Sequence, residues 1–223
     1  VMNGTIRNVT GIGIVINNLV TPQKNLIIRE ILFDGCQSRG ISSTNVLPLL
    51  PIQKIRIENC SFTECLLPAT GDSIIFLSAT RSVFKNIYIA NQSVAIGNKT
   101  LFNAGVTLSS IDSILVERFI ATGSLIGFNS NNIAASLIKN SSFFLLSGST
   151  TTVFNVLSNN NMYINCIAQS TDAINNCSFF SVAGTDPDIF IGCISNGMVS
   201  SSGIINGFDF ANASNQTLID CII

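Results

Sequence analysis

Ile57-Glu58-Asn59-Cys60 decides the fold: a bulky apolar residue, a charge, an asparagine and a cysteine in four consecutive positions. The pattern returns as Ile138-Lys139-Asn140-Ser141, and its Asn-Cys half recurs as Asn165-Cys166 and Asn176-Cys177. Taking the apolar residue as anchor, the series reads Ile6, Phe33, Ile57, Phe84, Val116, Ile138, Ile164, Ile191 and Ile219. The intervals are 27, 24, 27, 32, 22, 26, 27 and 28 residues, a mean near 27. Self-similarity at a period of 20–50 residues is the mark of a solenoid or array.

The flanking columns carry a second signal. Immediately after the anchors stand Arg7, Asp34, Glu58, Lys85, Glu117, Lys139, Asn165, Gly192 and Asp220; seven of these nine are charged, in a chain with only 23 charged residues. Side chains alternate faces along a strand, so the anchor is expected inside and the charge in water. The column before the anchor reads Thr5, Leu32, Arg56, Val83, Leu115, Leu137, Tyr163, Phe190 and Leu218. By the same alternation it should face outward, yet seven of its nine members are apolar. Either it is an apolar stripe awaiting a cover or a bend beside the anchor turns it into the core. Candidate covers are a second copy, another part of the parent chain, or a loop such as Leu47-Pro48-Leu49-Leu50-Pro51.

Between anchors lies another apolar run, for example Gly11-Ile12-Gly13-Ile14-Val15-Ile16, Ser73-Ile74-Ile75-Phe76-Leu77 and Gly203-Ile204-Ile205-Asn206-Gly207-Phe208. Two or three short strands per period fit, β-branched residues dominate them, and no amphipathic helical pattern of useful length appears. One such coil cannot bury its own apolar face; coils stacked at ~4.8 Å bury a continuous core. The expectation is all-β: one single-stranded right-handed parallel β-helix of about nine coils spanning 1–223. Neither end shows a polar cap, so the chain is expected to be a segment of a longer solenoid or an uncapped stacking unit.

Composition narrows function by exclusion. Charged residues make up 10% and hydrophobic ones 47%, with mean hydropathy +0.49, which rules out intrinsic disorder. The net charge is −1 and no basic run exists, leaving no electrostatic footprint for nucleic acid. No stretch approaches the ~20 apolar residues of a membrane helix, so insertion is not expected. There is no histidine, which removes Ser-His-Asp and Cys-His mechanisms.

Seven cysteines, five of them shortly after anchors (Cys36, Cys60, Cys166, Cys193 and Cys221), read as a ladder of small buried hydrophobes. Without His or a Cys-x-x-Cys pair they do not suggest zinc. The asparagines read as corner residues, since Asn tolerates the left-handed bend and its amide can bond the next coil. The sequons at Asn8, Asn91, Asn98 and Asn212 are common by chance in so Asn- and Ser-rich a chain. Asp112, Asp172, Asp186 and Asp188 are the carboxylates to watch: a pair converging within about 5–9 Å would suit glycoside hydrolysis. Gly184-Thr185-Asp186-Pro187-Asp188 is equally a tight turn.

On its repeated anchor-polar-Asn-Cys strands the whole chain resembles the right-handed parallel β-helix superfamily, often called pectin-lyase-like. That resemblance implies fold far more than activity. Polygalacturonase-like members would be expected to show an Asp trio with Gly-His-Gly, and there is no His here. Pectate-lyase-like members would be expected to pair Ca²⁺-binding acids with an Arg or Lys base, yet Arg81 and Arg118 have no acidic partner at that spacing. What remains resembles the non-catalytic uses: surface passenger domains, adhesins and fibre shafts. The expected function is therefore a structural or adhesive β-helix of a secreted, cell-surface or virion-surface protein, located outside the cell. The expectation includes no catalytic residue, cofactor or metal, with self-association and a carbohydrate or host-surface ligand as partners. Loops off the coils, such as Asn91 to Thr100, would carry recognition. The alternatives are a fragment of a polysaccharide-binding or polysaccharide-degrading enzyme, and a filament subunit stacked end to end.

Overall fold

The computed structural model describes residues 1–17, 25–36, 39–44, 52–63, 65, 75–77, 79–80, 83–90, 103–112, 115–122, 126–145, 150–183, 186–210, 213 and 215–223. Among them there is no helix, and eighteen strands join in one hydrogen-bonded system. Strand pairs run parallel throughout, as in Thr5 beside Leu32, Ile57 beside Phe84 and Phe154 beside Phe180. The chain is an all-β parallel solenoid with a period near 27 residues. The described strands stack in fewer turns than the nine coils counted from the sequence.

The innermost column differs from the expected anchors in two places. Pairing runs Ile28, Ile57, Phe84, Val116, Ile138, Tyr163, Phe190, Leu218. From Ile28 to Leu218 is 190 residues in seven steps, so the mean period of about 27 survives. Phe33 does not stack on Ile57: it pairs with Ile6 on one side and Phe62 on the other, one bend further along the coil. Its ring lies 4.5 Å from that of Phe62 and only 5° from parallel. At the other end the anchor slips by one. Tyr163 and Phe190 are fully buried while Ile164 and Ile191 look outward.

The bend between these columns has a specific residue chemistry. Asn3, Glu30, Asn59, Asn86, Arg118, Asn140, Asn165, Gly192 and Asp220 all have positive φ, between 50° and 59°. A left-handed residue at the same place in successive coils turns the strand without losing the coil-to-coil hydrogen bonds, and Asn bears it at least cost after Gly. Asn86 Nδ2 donates to Asn59 Oδ1 at 2.7 Å, and Asn165 Nδ2 to Asn140 Oδ1 at 3.4 Å, forming side-chain ladders of the kind stacked strands favour. Asn165→Ala should lose the amide contact and force a Cβ-branched-free but non-Gly residue into the left-handed region, a cost of about 1–2 kcal/mol. Asn165→Gly should cost less than the alanine, as urea denaturation of the two variants would show.

After the bend a second core column follows, in which Cys60 pairs with Ile87 and Ile87 with Phe119. Cys166, Cys193 and Cys221 continue it, each thiol facing a carbonyl of the preceding coil: Ile138 O at 3.6 Å, Tyr163 O at 3.5 Å and Phe190 O at 3.5 Å. The described cysteines are free thiols, and Cys36, Cys60, Cys65, Cys166 and Cys193 are buried. Burial pushes the Cys60 and Cys166 thiols up, keeping them protonated. The ladder of small buried hydrophobes is thus present, although Cys36 sits outside it against Cys65. Cys177's side chain lies outside the described residues.

Candidate functional site

The outward face of the short three-residue strands, typified by Leu137–Lys139 and Met162–Ile164, carries two parallel columns. The first reads Ile27, Arg56, Val83, Leu115, Leu137, Met162, Ile189 and Thr217. The second reads Arg29, Glu58, Lys85, Glu117, Lys139, Ile164, Ile191 and Ile219. The expected apolar stripe is therefore divided. Tyr163 and Phe190 belong to the core, and Thr5 and Leu32 lie on the strand beyond the bend. Arg56, Val83, Leu115 and Leu137 do face outward, and Met162 and Ile189 extend them. Tyr163 and Phe190 are inside because the anchor slips by one residue there, so the column is outward only as far as Leu137.

The charges of the second column pair along the solenoid. Glu117 sits among Lys85 Nζ at 3.4 Å, Lys139 Nζ at 3.7 Å and Arg118 Nη2 at 3.8 Å. Partial desolvation opposes ionisation, but the Lys85 hydrogen bond and the three cations outweigh it and lower the Glu117 pKa. Glu58 is held instead by Arg56 of its own strand, with Nη2 2.7 Å from Oε1. Arg7 and Asp34 pair at 2.8 Å on the strand past the bend. Arg7 thus lies over Asp34 and Lys85 beside Glu117, opposite charges on successive coils. Such exposed pairs contribute little energy individually; they fix which rung lies over which. Arg118 lies beside Glu117 and occupies a left-handed corner.

At one end of the apolar column a groove of about 380 Å³ is lined by Asn25, Ile27, Lys54, Arg56 and Val83. It is broad and shallow, with aliphatic walls and two cations on one rung.

Of the candidate carboxylates, the described pair Asp186 and Asp188 does not converge. Asp186 is exposed, its Oδ2 taking the Asn160 amide at 3.4 Å. Asp188 is fully buried, with Oδ1 accepting the Asn161 backbone N–H at 2.7 Å and its side-chain amide at 3.2 Å. One carboxyl is in water and the other in the core, so they cannot act together on one glycosidic bond. The side chains of Asp112 and Asp172 lie outside the described residues, as do Arg81 and the loops at 45–51 and 91–102. Among the described residues no three His, Cys, Asp or Glu side chains are placed to hold a metal ion.

Asp188 belongs to a device that the sequence did not announce. Ser136 N donates to Asn161 Oδ1 at 3.0 Å, Asn161 N to Asp188 Oδ1 at 2.7 Å, and Asp188 N to Gln216 Oε1 at 2.9 Å. Each polar side chain thus caps the backbone N–H of the coil before it, where the strand ladder has not yet begun. Ser136, Asn161 and Asp188 each stand two residues before a fully buried core residue, Ile138, Tyr163 and Phe190.

No family model matches the chain, and no solved structure matches it. The ATP synthase gamma chain of Azobacteroides pseudotrichonymphae genomovar. CFP2 is 26% identical to it over 90 residues. That stretch is 40% of this chain and 31% of the other protein, a local likeness that shows no shared family.

Proposed function

We propose that this chain is a non-catalytic structural or adhesive β-helix of a secreted, cell-surface or virion-surface protein, right-handed and pectin-lyase-like in architecture. We further propose that it associates side to side through the outward face of its short strands. The observation that carries this reading is the apolar column Val83, Leu115, Leu137, Met162 and Ile189 running beside the alternating charges Arg29, Glu58, Lys85, Glu117 and Lys139. A twofold axis lying along the strands, midway between the Lys85 and Glu117 rungs, keeps each column opposite itself and reverses the order of rungs. Lys85 then faces Glu117 of the second copy, Glu58 faces Lys139, and Val83 meets Leu115. Self-complementarity of that kind is what a twofold interface requires.

Sedimentation velocity of the chain over a range of concentrations tests it. A dimer that dissociates on dilution is expected, and Leu115→Glu, which sets a carboxylate against Val83 of the second copy, should leave a folded monomer. A wild-type monomer at every concentration, or a variant that dimerises equally well, would sink the interface. Release of reducing or unsaturated ends from any acidic polysaccharide would overturn the non-catalytic reading. The groove beside Lys54 and Arg56 supports a second reading, binding of an anionic carbohydrate without turnover. Lys54→Glu would abolish such binding.

A further inference from the structure

The geometry points to Asp188 as an acid-favouring element of the fold: we propose that its carboxyl is neutral in the best-packed solenoid, and that losing the proton loosens the coil around residues 186–191.

Asp188 is wholly removed from solvent, yet only one of its oxygens is engaged. Oδ1 receives both donors of Asn161, whereas Oδ2 is buried with no hydrogen-bond partner among the described residues. A neutral carboxyl leaves one O–H unmatched there, a smaller cost than an unmatched buried anion. A carboxylate does not, since a buried anion needs its lone pairs matched or a counter-charge nearby. Among the described residues at the neighbouring positions no counter-charge stands. On the preceding coil these are Asn160 and Asn161, and on the following coil Asn215 and Gln216, all neutral. The charged group that acts on it, Asp186 two residues upstream, has the wrong sign.

Desolvation therefore raises the Asp188 pKa from 3.8 to about 6, the Asn161 hydrogen bonds offsetting only part of the effect. The sign follows from linkage. Between those values the folded chain holds a proton that the unfolded chain has released, so stability falls as pH rises through that window. A displacement of about two pH units corresponds to on the order of a hundredfold in the folding equilibrium. Most paired carboxylates act the other way, gaining stability as they ionise, so the comparison must be with a variant lacking this one acid.

Asp188→Asn keeps an oxygen to accept the Asn161 N–H and cannot ionise. Chemical denaturation of the wild type and this variant at intervals from pH 4 to pH 7.5 should give curves that differ in slope. The wild type is expected to lose tens- to a hundredfold relative to Asp188→Asn across the interval, with the change centred between pH 4 and 6. NMR titration of the Asp188 carboxyl carbon in the wild type needs no variant and should show a midpoint near 6. A midpoint near 4, or parallel denaturation curves, would overturn the proposal.

Discussion

Alanine at Phe190 should cost the solenoid about 3–5 kcal/mol, among the largest losses expected from truncating one of the described side chains. Phe190 is fully buried, stacks on Tyr163 with ring centroids 4.8 Å apart, and receives the edges of Phe180 at 5.8 Å and Phe208 at 5.5 Å. Phe180 and Phe208 come from the opposite wall and stack on each other at 4.6 Å, so one ring joins two sides of the coil across the core. The void left by its removal has little means of closing. The strands above and below are held at fixed spacing by bonds such as Ile189 N to Asn161 O and Gly192 N to Ile219 O, at 2.9 and 2.8 Å. A site that cannot collapse keeps the full cavity penalty as well as the transfer term.

Guanidinium unfolding would measure the loss, and hydrogen exchange would locate it. In a solenoid each coil is stabilised by its neighbours, so amides of 162–164 and 217–219 should lose protection before those near Phe33. The neighbouring outward residue is the control. Ile191→Ser removes a similar apolar volume from the surface column and should change stability by roughly 0.5 kcal/mol or less. Equal losses from Phe190→Ala and Ile191→Ser would mean that the strand faces the other way.

That pair of residues also shows what the sequence discloses and where it misleads. The period and the parallel strands are legible because bulky residues recur about every 27 positions and charges avoid their column. Register is harder, since a slip of one residue exchanges the faces of a strand. In Tyr163-Ile164-Asn165-Cys166 both residues before the asparagine are apolar, so alternation alone cannot choose between them. Matching Asn165-Cys166 to Asn59-Cys60 would have chosen Tyr163 as the counterpart of Ile57, as the structure has it. The corner is a better register mark than the anchor, because left-handed φ restricts residue choice more than burial does. Phe33 misleads for the converse reason: its coil places Glu30 at the corner, and a glutamate there carries no turn signal.

Function is less legible than fold for a related physical cause. Backbone pairing can proceed with almost any polar residue outside, so the outer columns are weakly constrained by folding. The capping ladder through Ser136, Asn161, Asp188 and Gln216 was missed because no local pattern marks a side chain that serves a backbone N–H some 25–28 residues earlier. Asp188 looked like a turn residue beside Asp186, and only three-dimensional burial separates the two carboxylates.

Gly13→Ala should cost up to about 3 kcal/mol, although the substitution adds a single methyl group. A Cβ built at Gly13 would lie 2.8 Å from Gly40 O and 2.9 Å from Cδ1 of Phe33, and neither neighbour can retreat. Gly40 O is the acceptor for Ile14 N at 2.8 Å, one rung of the ladder that joins these two coils, while Gly13 N donates to Arg39 O at 2.9 Å. Moving the carbonyl breaks the first bond, and moving the glycine breaks the second. The Phe33 ring is fully buried and is backed by Phe62 at 4.5 Å, lying 5° from parallel, so sliding it aside would spoil the stack. Gly11 sits two residues away with nothing within 4 Å of its would-be Cβ. Gly11→Ala should therefore be neutral or stabilise by about 0.4–1 kcal/mol, through the reduced freedom of the unfolded chain. Thermal melts of the two variants side by side should show Gly13→Ala falling and Gly11→Ala unchanged or rising. If both fell alike, glycine would be required across 11–13 for backbone freedom, and the close approach of Gly40 and Phe33 would not be the cause.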